Sequence, residues 1–179
     1  MRRWTADAVS LSRLALLGPW IWCTVTGNAW GLWVWTAIVA SDLADGLLAR
    51  RFATDGRRGA LLDPTCDALV VIGAALTLGL SDGRYLGLSG LMAVAFLSWG
   101  ASSLVGGRLA YTRLGRYNGA LCYLSVLVAS ARPWLLARGA VVPSGVERAL
   151  LALVAVCLGV STVENLAVGA LRRHRQTAP

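Results

Sequence analysis

The sequence predicts an all-α fold, an integral membrane bundle of six transmembrane helices forming one domain over residues 1–179. Three observations predict it. Of the 179 residues, 56% are hydrophobic and only 15% are charged, where a soluble domain would carry about a quarter; the mean hydropathy is +0.62. The apolar residues gather in six segments near the roughly 20 residues a helix needs to cross a bilayer core. The gaps between them are built from Gly, Pro, Asp, Asn and Arg and are too short for a further domain.

The first segment, residues 8–26, follows a basic Met-Arg-Arg start. It has no small-x-small cleavage pattern and more segments follow, so it reads as a retained helix rather than a removed leader. The second, residues 30–50, begins after the turn-forming TGN and ends with Asp42, Asp45, Arg50 and Arg51 at or just past its last turns. TDGRRG separates it from the third, residues 60–80, which carries Asp63 and Asp67 early. SDGR precedes the fourth, residues 85–105, and GGRLAYTRLGRYNG leads to the fifth, residues 119–136. ARGAVVPSG opens the way to the sixth, residues 146–171, where Glu164 and Asn165 are polar positions within a span.

The 17 basic residues against nine acidic ones give a formal charge of +8, and all 17 are Arg. A basic surplus suits nucleic acid, but these arginines stand between apolar runs and are not interleaved with aromatics, so no nucleic-acid partner is expected. Arginine flanking hydrophobic spans instead sets orientation and meets anionic headgroups. With the N-terminus in the cytoplasm, Arg2, Arg3, Arg50, Arg51, Arg57, Arg58, Arg108, Arg113, Arg116, Arg172, Arg173 and Arg175 fall inside, twelve against Arg84, Arg132, Arg138 and Arg148 outside. Arg13 lies within the first span. Both termini and the 51–59 loop are thus expected to face the cytoplasm. Cys23, Cys66, Cys122 and Cys157 are scattered through apolar surroundings, and with His174 the single histidine a zinc site is not expected.

Four aspartates resist this apolar pattern. Spacings of three and four residues put Asp42 with Asp45, and Asp63 with Asp67, each on one helical face. A short loop makes the two helices antiparallel neighbours, so that the faces converge near the cytoplasmic surface. An acid at mid-span costs roughly 2.5–3.5 kcal/mol on insertion scales, less near the interface, and clustering adds repulsion. Hard divalent cations with oxygen ligands offset that cost; two such ions would balance the four carboxylates. Gly46 and Ala49 share the acidic side and leave room for a ligand, Arg50 is placed to hold a phosphate, and Gly59 opens the third helix without a side chain. The plainer reading, in which the acids only cap helices or pair with loop arginines, suits an isolated Asp better than four on facing surfaces.

Asp42-x-x-Asp45-Gly46-x-x-Ala49-Arg50, then eight residues, then Gly59-x-x-x-Asp63-x-x-x-Asp67 resembles the signature of the CDP-alcohol phosphotransferases, with all eight positions at that family's spacing. The TADAVSLSR opening is similar to that family's first helix. The resemblance implies an enzyme that transfers a substituted phosphate from a CDP-linked donor to an alcohol and releases CMP. It implies that Asp42, Asp45, Asp63 and Asp67 hold two Mg²⁺ or Mn²⁺ ions, and that Gly46, Ala49, Arg50 and Gly59 line the nucleotide pocket. Asp67 is then also the base that takes the acceptor's proton. On this reading the donor is CDP-diacylglycerol, the protein serves phospholipid biosynthesis in a bacterial inner membrane, and two copies pair as a homodimer.

Arg108, Arg113 and Arg116 are candidates to bind a phosphorylated acceptor such as glycerol 3-phosphate or an inositol phosphate; their alternative role is orientation and headgroup contact. Several glycerophosphate-using relatives carry a lysine after the last motif aspartate, where this chain has Ala68, so the acceptor stays open. Two rival functions make different demands. An intramembrane prenyltransferase also uses aspartates for pyrophosphate, but its two acidic motifs are far apart in sequence, whereas here they share one hairpin. A small ion or proton transporter calls for acids through the membrane depth and for broken helices in matching halves.

Overall fold

A computed structural model describes residues 2–52, 59–106, 115–141 and 143–177, with side chains over 11–44, 63–103, 117–141 and 143–171. The described residues form six helices and no strand: α1 (Arg2–Val25), α2 (Gly31–Phe52), α3 (Gly59–Gly79), α4 (Gly83–Gly106), α5 (Gly115–Leu136) and α6 (Ser144–Thr177). The helices match the six apolar segments but overrun several. α1 begins six residues earlier than hydropathy suggested and α6 ends six later, because a helix continues into polar residues that hydropathy reads as its end.

Local chemistry sets the turns. Gly27 has φ +66°, and the N–H groups of Gly27 and Asn28 return to the carbonyls of Thr24 and Cys23. That is a Schellman end, which favours glycine in the left-handed conformation. Gly139, at φ +72°, repeats it at the end of α5, with Ala140 N–H donating to Leu135 O at 2.9 Å. Asn28 accepts from the N–H of Trp30 at 3.0 Å and Asp82 from that of Arg84 at 3.1 Å, tying down the starts of α2 and α4.

Three helical stretches are long and apolar enough to cross a membrane: Gly83–Ser103, Tyr117–Leu136 and Ser144–Leu171. The described apolar stretches of α1 and α2, Leu11–Val25 and Gly31–Ala44, are shorter. The expectation of six spans therefore meets the length and apolarity test in three helices. α1, α2 and α3, whose described side chains cover only part of each helix, are the helices that carry Arg13, Asp42, Asp63 and Asp67. Large apolar side chains such as Trp22, Leu97, Val156 and Val163 face outward, as a lipid solvent permits. This is a membrane protein.

Packing gives two four-helix rings that share a wall. α1 packs on α2 and α3, and α5 packs on α2 and α3, closing the first ring. α4 packs on α3 and α6, and α6 on α5, closing the second. The shared wall is α3 with α5. Among the described residues α1 packs against both α2 and α3, and α2 and α3 approach each other at their acids, as the spacing predicts. The first ring is filled by Trp20, Trp35, Ile38, Val70 and Val126, none with any exposed surface. Trp20 and Trp35 lie 5.1 Å apart between ring centroids, and Trp35 and Tyr123 5.6 Å. Each buried indole N–H finds a partner, Trp20 on Ser130 Oγ and Trp35 on the Tyr123 carbonyl, both at 3.0 Å. Cys23, Cys66 and Cys122 are buried and Cys157 is half-buried, all as free thiols, in keeping with their apolar surroundings.

Candidate active site

The acids meet where α1, α2 and α3 come together. Asp63 and Asp67, four residues apart, share one face of α3, and Asp42 approaches from α2. One carboxylate oxygen from each lies within 4.8 Å of the others. The side chains of Asp42, Asp63 and Asp67 keep 35%, 48% and 29% of their surface accessible, so a solute can reach them.

Arg13 is the residue that sequence reasoning left without a role. Its side chain has no exposed surface, and its guanidinium stands among all three acids. Nη1 donates to Asp42 Oδ1 at 2.7 Å and to Asp67 Oδ1; Nη2 donates to Asp63 Oδ1 at 2.5 Å. A planar fork of donors suits several carboxylates at once. A buried Arg in an otherwise apolar span was the available signal, since such a charge requires a partner. Its three partners lie 29, 50 and 54 residues away, so the sequence did not indicate which they are.

Tyr123 is a second residue the sequence did not single out. Its hydroxyl donates to Asp67 Oδ1 at 3.1 Å, and the side chain is held between Asp67 and the Trp35 ring. Asp67 is thus oriented from two sides, by Arg13 and by Tyr123.

Beside the acids a cavity of about 540 Å³ opens within the second ring, between α3, α4, α5 and α6. Asp63, Asp67, Asn118 and Asn165 contribute polar groups to its lining, and Val71, Ile72, Met92, Phe96 and Leu158 contribute apolar surface. Asp63 and Asp67 belong to both features, the acidic cluster and the cavity.

The remaining sequence candidates have less to show. Asp45, Gly46, Ala49 and Arg50 lie in α2, and Gly59 opens α3, but their side chains lie outside the described residues. Arg116 is in the first turn of α5 with its side chain likewise undescribed, and Arg108 and Arg113 lie outside the described residues altogether. Asn165 lines the cavity, and its neighbour Glu164 is not part of that lining.

Three carboxylate oxygens within 4.8 Å of one another are the hard donor set that Mg²⁺ or Mn²⁺ takes, with further positions left for water or phosphate oxygens. Among the described residues three acids share one cation, Arg13, and a divalent ion would offset the negative charge of such carboxylates. Asp42, Asp63 and Asp67 fit such an ion.

Fold and site together define a class: a helical membrane protein with a carboxylate cluster between helices, bordering a cavity that is polar in part. The chain belongs to the CDP-alcohol phosphatidyltransferase family, whose model matches residues 3–171. Among curated proteins, relatives in Mycobacterium bovis and Mycobacterium tuberculosis, each named "Putative cardiolipin synthase", are 36% identical to it over 77 residues. That stretch is 42% of this chain and 37% of each relative, so the match spans little more than a third of those proteins.

Proposed function

We propose that the protein is a divalent-metal-dependent phosphatidyltransferase of phospholipid biosynthesis. It moves the phosphatidyl group of CDP-diacylglycerol to a small polar alcohol, glycerol 3-phosphate or an inositol phosphate, and releases CMP. The observation that carries this reading is the meeting of Asp42, Asp63 and Asp67 within 4.8 Å, in a chain whose family transfers such groups.

The roles follow from what each residue can do. Asp42, Asp63 and Asp67, with Asp45 as the fourth acid of the motif, would hold the metal. When bound, the metal supplies positive charge against the donor diphosphate and the departing CMP. Phosphoryl transfer asks the protein mainly for positioning and charge balance. Asp67 lines the cavity and keeps 29% of its side chain accessible, so an acceptor hydroxyl can approach it. The acceptor oxygen forms a bond to the β-phosphorus, the bond from that phosphorus to the CMP oxygen breaks, and the acceptor's proton passes to Asp67. Tyr123 and Arg13 orient the Asp67 carboxylate. Gly46, Ala49, Arg50 and Gly59 line the nucleotide pocket, and Arg108, Arg113 and Arg116 draw in a phosphorylated acceptor.

A second reading of the acceptor is favoured by the cavity's apolar lining and by the relatives' printed name. Cardiolipin carries two phosphatidyl groups on one glycerol, so the attacking hydroxyl would then sit on a lipid. The remaining parts of the proposal are six spans, both termini and the site at the cytoplasmic face of a bacterial inner membrane, a single domain over residues 1–179, and a pair of copies. They draw on the arginine distribution and on the family.

Purified protein in detergent, given CDP-diacylglycerol, Mg²⁺ or Mn²⁺ and a panel of acceptors, is expected to release CMP only when the right alcohol is present. Absence of CMP with every acceptor would refute the donor assignment. A lipid product made from phosphatidylglycerol but not from glycerol 3-phosphate would decide for the second reading.

A further inference from the structure

Two carboxamides in the cavity wall are left unused by the transfer chemistry. Asn118, near the start of α5, and Asn165, in α6, both line it. They are 8% and 3% exposed. Among the described residues the Oδ1 atom of each has no hydrogen-bond partner. Buried carboxamides in folded proteins are nearly always hydrogen-bonded, and an unmet one calls for an explanation such as a ligand. Two unmet acceptors in one cavity, beside the aspartate proposed to receive a proton, ask for a molecule with several hydroxyl donors.

The direction of the helices separates the polar lining from the apolar lining. Short connections make successive helices antiparallel, so α3 and α5 ascend from the end where the acids lie while α4 and α6 descend towards it. Asp63, Asp67 and Asn118 come early in ascending helices and Asn165 late in a descending one, which gathers them at one level. Leu158, seven residues before Asn165, lies two turns deeper on α6.

We propose that Asn118 and Asn165 accept hydrogen bonds from the hydroxyls of the acceptor that do not react, so that the enzyme selects a polyol head over an alcohol with a single hydroxyl. This rests on the transferase reading above. A phosphorylated polyol from solution and a glycerol carried on a lipid offer the same hydroxyl donor; a glycerol has one to spare and meets one carboxamide, whereas an inositol phosphate has enough to meet both.

CMP release would be measured with glycerol 3-phosphate against 3-hydroxypropyl phosphate, which lacks the middle hydroxyl. A second arm would compare phosphatidylglycerol with its propane-1,3-diol counterpart. The arm that turns over identifies the source. Wild-type protein is expected to prefer the full polyol in kcat/KM by about tenfold or more, since a site built to pair a hydroxyl rejects the analogue that lacks it. The middle hydroxyl has one proton to donate, so whichever of Asn118→Leu and Asn165→Leu removes its partner is expected to raise the acceptor KM and erase that preference while leaving the KM for CDP-diacylglycerol unchanged. Asn118→Asp and Asn165→Asp, which keep an accepting oxygen, should retain part of it. Should the leucine variants fail to fold, Asn118→Ser and Asn165→Ser carry the same comparison.

Equal use of polyol and deoxy analogue by the wild type would overturn the assignment. So would a preference left intact in both leucine variants. No CMP from the wild type with any acceptor would instead bring down the transferase reading, and this inference with it.

Discussion

Among the described residues two groups of charged side chains tie helices together, and they are built in opposite ways. At one, a fully buried Arg13 stands among Asp42, Asp63 and Asp67, whose side chains remain 29–48% accessible. At the other, the nearly buried Glu147, 4% accessible, is met by Tyr85 Oη at 2.9 Å, Arg84 Nη2 at 3.4 Å and Arg132 Nη1 at 3.5 Å. Asp82 pairs with Arg84 beside it, so two acids face two arginines and the charges balance. This second group ties the α3–α4 connection and the last part of α5 to the start of α6. In the first, three described acids share one described base and stay accessible to solvent. Balanced charge around a buried acid fixes a structure. Accessible acids gathered on a buried base can also take a further cation.

Substitutions can break that contrast, and the largest effect is expected at Asp67. Asp67→Asn should lower the rate of CMP release by about 10²–10⁴-fold, the span typical for loss of a general base. Glu147→Gln should leave turnover per folded molecule within about twofold. Activity lost equally in both would erase the distinction between the two groups.

Stability sharpens it next. Arg13→Gln leaves three acids without their buried partner and is expected to cost about 3–5 kcal/mol, as breaking a buried ion pair does. Mg²⁺ should restore part of that loss, because a divalent cation can replace the missing charge. Glu147→Gln should be destabilising too, and its melting temperature should not respond to Mg²⁺. Thermal melts with EDTA and with Mg²⁺ check both.

A smaller effect is expected at Tyr123. Tyr123→Phe removes one hydrogen bond to Asp67 and keeps the ring against Trp35, so turnover should fall up to about tenfold, the range of a single bond. The KM for the donor should not change. A shift in donor KM instead would mean that Tyr123 touches the nucleotide rather than orienting the base.

The smallest effect concerns the balanced group. Hydrogen bonds from Arg84 hold the Asp82 carboxyl below its ordinary value. A carboxyl whose pKa is lower folded than unfolded contributes fully above its unfolded value of about 3.9. It loses that contribution as pH falls through the folded value. Wild-type melting temperature should therefore drop, between about pH 5 and pH 3, by on the order of a degree or two more than that of Asp82→Asn, since the pair is near the surface. Identical acid profiles would show the pair to be inert.

The spacing of Asp42, Asp63 and Asp67 and the six apolar segments were legible in the sequence because each depends on neighbours within a few residues. Helical periodicity states which side chains share a face, and hydropathy states which segments avoid water. The overrun of α1 and α6 was not legible, since a helix end depends on capping rather than on apolarity. Side chains that lie beyond the described residues, Asp45 and Arg50 among them, stay as the motif alone presents them.

Tertiary structure alone decided which other side chains join the acids. It placed α1 against both α2 and α3 and so put Arg13 among acids 29 to 54 residues away. It set Tyr123 against Asp67, and it brought Asn118 and Asn165 to one cavity. The physical reason is that periodicity fixes the direction a side chain takes from its own helix. The choice of neighbour is settled by the packing of whole helices, a property no short stretch of sequence contains.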